Sequence, residues 1–250
     1  MDEAKQQPRA EARTACEAES LYGAAYYQEQ LHREHWFRDN RAKHAMRWQA
    51  VLRMLRPEPN DVVLDVGCAA GEQAIRLAPM VRRVTGIDSS PAAIALARAR
   101  VRGIGNADFV EADATSLAGF ADASIDKVMA IDFVEHVTDA ELLRLLEAAW
   151  RVLRIGGRLV IYTPCRTHYV ERLKANNLVL RQIPGHIAVR TPTHYERLFA
   201  RQPWKVIDRF FLPSTYPLFG LFDRLLGAVP AIGGLFRFRY CIALQKAASS

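Results

Sequence analysis

The chain has 250 residues, half of them hydrophobic, with 34 Lys and Arg against 27 Asp and Glu and a formal net charge of +7. That is enough apolar chain for one substantial core, while 14 Gly, 12 Pro and no repeat or low-complexity tract exclude collagen-like, disordered and solenoid architectures. Cys16, Cys68, Cys165 and Cys241 form no CxxC pair, so neither a zinc knuckle nor a disulfide framework is expected and a reducing, cytoplasmic setting fits.

The opening MDEAKQQPRAEAR lacks the apolar run of a signal peptide and reads as a solvated tail. Two helical patterns follow, one around 18–33 and one over 42–56, where Trp48, Val51, Leu52 and Leu55 share a face. PEPN at 57–60 stops the second helix. From Asp61 short apolar runs alternate with helical stretches, the pattern of a parallel sheet covered on both faces. VVLDV (62–66), RVTGI (83–87), ADFVE (107–111), DKVMAID (126–132) and GRLVIYT (157–163) are the strand candidates. Helices are expected to begin near Gly71, at Pro91 after the capping Ser90, and at Asp139, the last running to Gly156–Gly157. Beyond Pro164 the alternation fades, and WKVIDRFFL (204–212) and FRFRYCIALQK (236–246) read as two further strands. Between them, 213–235 is apolar but broken by Asp223–Arg224; each uncharged stretch is too short to span a bilayer, so an interfacial or substrate-covering hairpin is expected.

The charge is unevenly distributed. Residues 61–165 carry eleven basic and fourteen acidic groups, a net of −3, whereas 166–250 carry thirteen basic and only four acidic groups, a net of +9. The C-terminal arginines are interleaved with large apolar residues rather than clustered in runs, which argues against nucleic acid.

VLDVGCAAGEQA (63–74) carries the chemistry. Asp65 ends a strand, and Gly67 and Gly71 sit where the backbone must turn tightly and admit a ligand without a Cβ in the way. The next strand ends in Asp88, placed for a carboxylate to accept the ribose hydroxyls of an adenosine. Glu72, just after the turn, would repel a pyrophosphate, which disfavours a dinucleotide.

With these motifs the chain resembles the class I S-adenosylmethionine-dependent methyltransferases, small-molecule and ubiquinone–menaquinone branch, over about residues 40–165 and the last two strands. The resemblance implies an α/β, Rossmann-like sheet of seven strands with helices on both faces, the last strand antiparallel, and an N-terminal helical lid. By that resemblance residues 1–56 form the tail and lid, and 57–250 the methyltransferase domain with an apolar insertion at 213–235. The family's acidic residue and G-x-G-x-G turn are similar to Asp65, Gly67, Ala69 and Gly71, with alanine replacing the middle glycine. The resemblance implies S-adenosyl-L-methionine as cofactor: Asp65 toward its ammonium, Gly67, Cys68 and Gly71 along the methionine part, Asp88 on the ribose and Ser89 beside the adenine. EADATSL (111–117) resembles the motif in which Asp113 accepts from adenine N6 and the Ala114 backbone meets the ring. MAIDFVEHV (129–137) resembles the fourth-strand motif and adds Asp132 to the cofactor set, and AWRVLRIGGRLVIYTP (149–164) resembles the helix, turn and strand that follow. A net positive cofactor also suits the acidic middle of the chain.

Methyl transfer to a hydroxyl requires alignment and a place for the proton. His136, after the fourth strand, reads as that base or as a capped, hydrogen-bonded histidine, and His186 in IPGHIAVRTP is the second candidate. Tyr27, Trp36, Phe37 and Arg38 would close over the cofactor as a lid or serve as packing for the N-terminal helices. No metal-ligand spacing is visible, so no metal is expected. The function expected is transfer of a methyl group to a small or lipophilic acceptor at oxygen; the alternative is a non-catalytic cofactor-binding adaptor or peripheral membrane subunit. The basic, apolar stretch 213–239 leaves an anionic membrane surface, a lipophilic substrate or a second copy in a homodimer as its partner.

Overall fold

The computed structural model describes residues 41–176, 185–215 and 217–248. The proposed lid residues Tyr27, Trp36, Phe37 and Arg38, and the helix expected at 18–33, lie outside the described residues.

The five apolar runs from Val62 onward become parallel strands, β1 (Val62–Val66), β2 (Arg83–Asp88), β3 (Ala107–Glu111), β4 (Ile125–Ile131) and β5 (Leu153–Pro164); the central β1 and β4 are buried along nearly their whole length, whereas the edge strand β3 alternates buried and exposed residues. With β6 (Trp204–Leu212) and β7 (Arg239–Lys246) they form one seven-stranded sheet in the order β3-β2-β1-β4-β5-β7-β6. β7 runs antiparallel to both β5 and β6. The order reverses between β1 and β4, and in open α/β sheets ligands bind beyond the C-terminal strand ends at such a switch.

Helices cover both faces. α1 (Arg41–Leu55) lays Val51 and Leu55 into the core on one side, together with β1, β5 and β7 residues such as Val63, Tyr162 and Ala243. α2 (Glu72–Leu77) follows the glycine turn, and α3 (Pro91–Arg100) starts where Ser90 Oγ accepts from Ala93 N and Pro91 fills the first helical position. α4 (Asp139–Val152) opens with a reciprocal capping box between Thr138 and Glu141, and buries Leu142, Leu145, Leu146, Ala149 and Val152 on the opposite face of the sheet. α5 (Tyr169–Ala175), α6 (Pro192–Phe199) and α7 (Pro217–Leu226) belong to the C-terminal third.

Two boundaries differ from the sequence pattern. The helix expected to reach Gly156–Gly157 stops at Val152, because Leu153 is drawn into register with Ile125 of β4 and is fully buried there. Tertiary pairing thus overrides helix propensity, and Gly156, at φ +79°, turns inside the strand instead of ending a helix. The segment between β6 and β7 folds as α7 followed by a single 3-10 turn at Gly233–Phe236 rather than as a hairpin. Leu218, Leu221, Phe222 and Leu225 recur at helical spacing, so the apolar insertion is helical.

Candidate active site

The turn after β1 is held from three sides. Gly67 N and Cys68 N both donate to Ile87 O, at 2.9 and 3.0 Å, and Ala69 N donates to Asp88 Oδ2 at 2.9 Å. Gly67 and Gly71 take φ of +68° and +77°, and a Cβ on Gly67 would stand 2.2 Å from the Phe133 ring. Ala69 lies at φ +47°, so alanine at the family's middle glycine costs backbone strain rather than room.

Asp65 is only 2% exposed, and its Oδ2 finds no hydrogen-bond partner among the described residues. Burial, and then the charge of Asp88, push its carboxyl up to about 8. Close by, Arg47 of α1 donates to Asp132 Oδ2 at 3.1 Å and Glu72 Oε2 at 2.8 Å while its buried Nε finds no acceptor among the described residues. The Arg47 charge acts on Asp65 and partly offsets the rise. An unsatisfied acceptor and an unsatisfied donor buried together are costly unless something zwitterionic fills the gap. The ammonium and carboxylate of a methionine moiety have that complementarity, so the residues present fit the cofactor that the fold implies.

Asp88 ends β2 and directs Oδ1 to Ser90 N at 2.9 Å, leaving acceptor capacity on both oxygens for two hydroxyls; burial raises its carboxyl. Ser89 is exposed beside it. Ala112 N donates to Asp88 O, which brings the β3 loop alongside. There Asp113 is exposed and its Oδ1 accepts from both Thr115 N and Thr115 Oγ1 at 2.8 Å, while Ala114 is buried in the core. Cys68 is buried, and burial pushes its thiol up, so it acts as a small apolar wall.

Asp132 sits beyond β4 at φ +52°, bonded to Arg47 on one oxygen and to Arg239 on the other at 3.0 Å. Burial alone would raise it, but Arg239, Arg47 and Lys43 outweigh burial and hold the carboxyl low. The chain His44, Glu72, Arg47, Asp132, Arg239 therefore ties α1, the glycine turn, the β4 end and the β7 start into one polar network. Asp132 is thus a cross-brace that reaches the cofactor side through Arg47.

The two histidines named from sequence meet. His136 and His186 pack edge-to-face with centroids 4.9 Å apart, and His136 Nδ1 lies 3.0 Å from Gly185 O. A carbonyl can only accept, so Nδ1 carries a proton, and whenever the ring is neutral the lone pair is on Nε2. Burial, then the charge of His136, lower His186 to about 3, which keeps it neutral. Glu135, 1% exposed, accepts from Thr163 Oγ1 at 3.0 Å and is pushed up to about 8, by burial first and by Asp132 next. Ligand atoms of Glu135, His136 and His186 lie within 4.8 Å of one another, a spacing that a divalent cation can bridge. Their separation along the chain hid this cluster from the spacing argument. Phe133, packed over Gly67, joins this group to the glycine turn.

Sequence reasoning missed Arg47, Arg239 and Glu135. Glu135 stood next to His136 in the quoted motif and could have been found there; the arginines carried no local signal.

The fold and this edge define the architecture of the S-adenosylmethionine-dependent methyltransferases. Residues 63–157 match a family model described as a methyltransferase domain. Among curated proteins the chain is similar to a ubiquinone biosynthesis O-methyltransferase of Azorhizobium caulinodans, 31% identical over 135 residues that cover 53% of this chain and 52% of that one. It is also similar to an O-methyltransferase of Pyrenophora dematioidea, 38% identical over 115 residues, 44% of this chain and 42% of that one. The chain spans about half the length of the curated relatives it matches. Among solved structures, geranyl diphosphate C-methyltransferase from Streptomyces coelicolor, in complex with Mg2+, geranyl diphosphate and S-adenosyl-L-homocysteine, superposes with a TM-score of 0.62 at 17% identity, covering 91% of this chain and 88% of that one. A putative methyltransferase from Bacillus halodurans gives 0.60 at 17% identity, covering 80% and 99%. At these identities the superpositions show the fold.

Proposed function

We propose that the chain transfers the methyl group of S-adenosylmethionine to the oxygen of a small or lipophilic acceptor. The observation that carries the reading is the pair of buried, unsatisfied atoms at the glycine turn, Asp65 Oδ2 and Arg47 Nε. Asp65 receives the ammonium, Arg47 the carboxylate, Gly67, Cys68, Ala69 and Gly71 admit the methionine chain, Asp88 takes the ribose hydroxyls with Ser89 beside the base, and Asp113 with the Ala114 backbone faces the adenine. Bound there, the cofactor supplies an electrophilic methyl on a sulfonium.

The chain's own task is alignment and proton removal. His136, whose neutral tautomer with the lone pair on Nε2 is favoured by Gly185 O, would take the proton that leaves the acceptor hydroxyl. Relatives named for ubiquinone biosynthesis and for geranyl diphosphate methylation support a lipophilic acceptor.

The test is turnover against phenolic, quinol and carboxylate acceptors, read as S-adenosylhomocysteine formed. His136→Ala should lower kcat by about 10²-fold or more while leaving S-adenosylhomocysteine affinity unchanged. Cofactor binding with no product from any acceptor would turn the reading toward a binding protein; an unaltered kcat in the variant would remove His136 as the base.

A further inference from the structure

The polarity of α7 is reversed relative to the core it sits on. Asp223 is 3% exposed, whereas Leu218, Leu221, Phe222 and Leu225 of the same helix are 74, 53, 52 and 64% exposed. The orientation is locked rather than loose. Asp223 Oδ1 pairs with the fully buried His168 at 3.1 Å and its Oδ2 accepts from Ser214 N at 2.6 Å. Rotating the helix to hide its leucines would strip that carboxylate of its partners and carry it into solvent, so the apolar face is held outward.

The apolar ridge continues past the helix into Val229 and Ile232, both exposed, and Ile232 forms one wall of a cleft of about 490 Å³. Arg166, Thr167, Arg172, Asn176 and Thr191 are among its other walls. The acidic groups of the C-terminal third are all engaged: Asp223 with His168, Glu171 with Lys174, Glu196 with Arg209 and Asp208 with Arg53. Arg166, Arg172 and Arg224, by contrast, make no ion pair with the described residues, so the ridge is rimmed by positive charge that no described carboxylate offsets.

We infer that this face is a docking surface for an anionic lipid bilayer, with the α7 ridge entering the headgroup boundary and the Arg166–Arg172 cleft receiving a lipid phosphate. A symmetric dimer through the same face would set each basic rim against its own copy, since a two-fold interface pairs a patch with itself. An anionic surface satisfies the ridge and the rim together. No helix of the described residues is long and apolar enough to cross a membrane, which agrees with a face that rests on the bilayer. The inference does not depend on the methyl-transfer reading.

Co-sedimentation of the full chain with vesicles of phosphatidylcholine alone, and of phosphatidylcholine mixed with phosphatidylglycerol, tests it. The chain should pellet with the mixed vesicles and weakly with the neutral ones. Leu221→Asp combined with Leu225→Asp, both on the exposed face, should weaken binding at least about tenfold, and Arg172→Glu by about fivefold or more on anionic vesicles only. S-adenosylhomocysteine affinity by calorimetry should stay at the parent value in each variant, which shows the sheet intact. Failure of the parent to pellet, or equal pelleting of the double leucine variant, would overturn the inference. So would a dimer in sedimentation velocity that the double variant dissociates.

Discussion

Asp65 and Asp223 are almost equally buried, at 2 and 3% exposure, and the chain treats them in opposite ways. Asp223 is satisfied on both oxygens, by His168 and by Ser214 N, and it serves to hold a helix in place. Asp65 Oδ2 has no partner among the described residues, and its carboxyl is displaced to about 8. A buried polar group that the fold completes is architecture; one that the fold leaves incomplete awaits something from outside. The acidic segment 61–165, which supplies Asp65, Asp88 and Asp132 of the proposed site, likewise differs from the basic segment 166–250, whose α7 carries its leucines outward.

Four substitutions or titrations sharpen this contrast. Asp223→Leu should cost about 3 kcal/mol of unfolding free energy, because it strands His168 and Ser214 N without an acceptor; a denaturation midpoint equal to the parent's would show the pair to be passive. Asp88→Ala should weaken S-adenosylhomocysteine binding by about 2 kcal/mol, roughly thirtyfold, through loss of charge-assisted bonds to the ribose, and unchanged affinity by calorimetry would remove Asp88 from the site.

The third test concerns pH. A carboxyl raised to about 8 is protonated at neutrality, and a cationic ammonium prefers it ionised. Affinity for S-adenosylhomocysteine should therefore rise between about pH 6 and 8, by up to roughly tenfold (1.4 kcal/mol) per unit, with a proton released on binding, and Asp65→Asn should flatten the profile. The stability of the free protein should move the other way. Between the ordinary carboxylate range and about 8 the folded chain holds a proton that the unfolded chain has released, so this contribution is complete in acid and is lost as pH rises. Glu135 adds to the trend with the same sign. A Tm that climbs across that window in the parent and in Asp65→Asn alike would contradict it.

The smallest effect is expected at the turn itself. Ala69→Gly removes a Cβ from a left-handed residue and should stabilise the fold by about 1 kcal/mol, read as a modest rise in Tm with the bond from Ala69 N to Asp88 retained by the glycine.

The turn and strand ends of the proposed cofactor site were legible as local structure because their signals are local. Asp65, Gly67, Gly71 and Asp88 fall at strand ends and turns that a few neighbouring residues specify, and the structure joins them through Gly67 N, Cys68 N and Ala69 N. Ser90 announced its helix for the same reason, since a cap is written within four residues. What was hidden depends on distance along the chain. Arg47 reaches Asp132 across 85 residues, and His136 meets the Gly185–His186 loop across 49. Those meetings are set by strand order and helix packing, which no window of sequence contains.

The sequence by itself therefore determined the alternation of strands and helices, the glycine turn with its two carboxylates, and the opposed charges of its two parts, because hydrophobic period, backbone conformation and composition are local properties. Only the tertiary structure decided that helix α4 yields to β5 at Leu153, that Asp65 is orphaned while Asp223 is satisfied, and that α7 wears its leucines outside. In each case the deciding interaction joins residues far apart in the chain, and the side of the balance it takes is fixed by what the folded core places opposite.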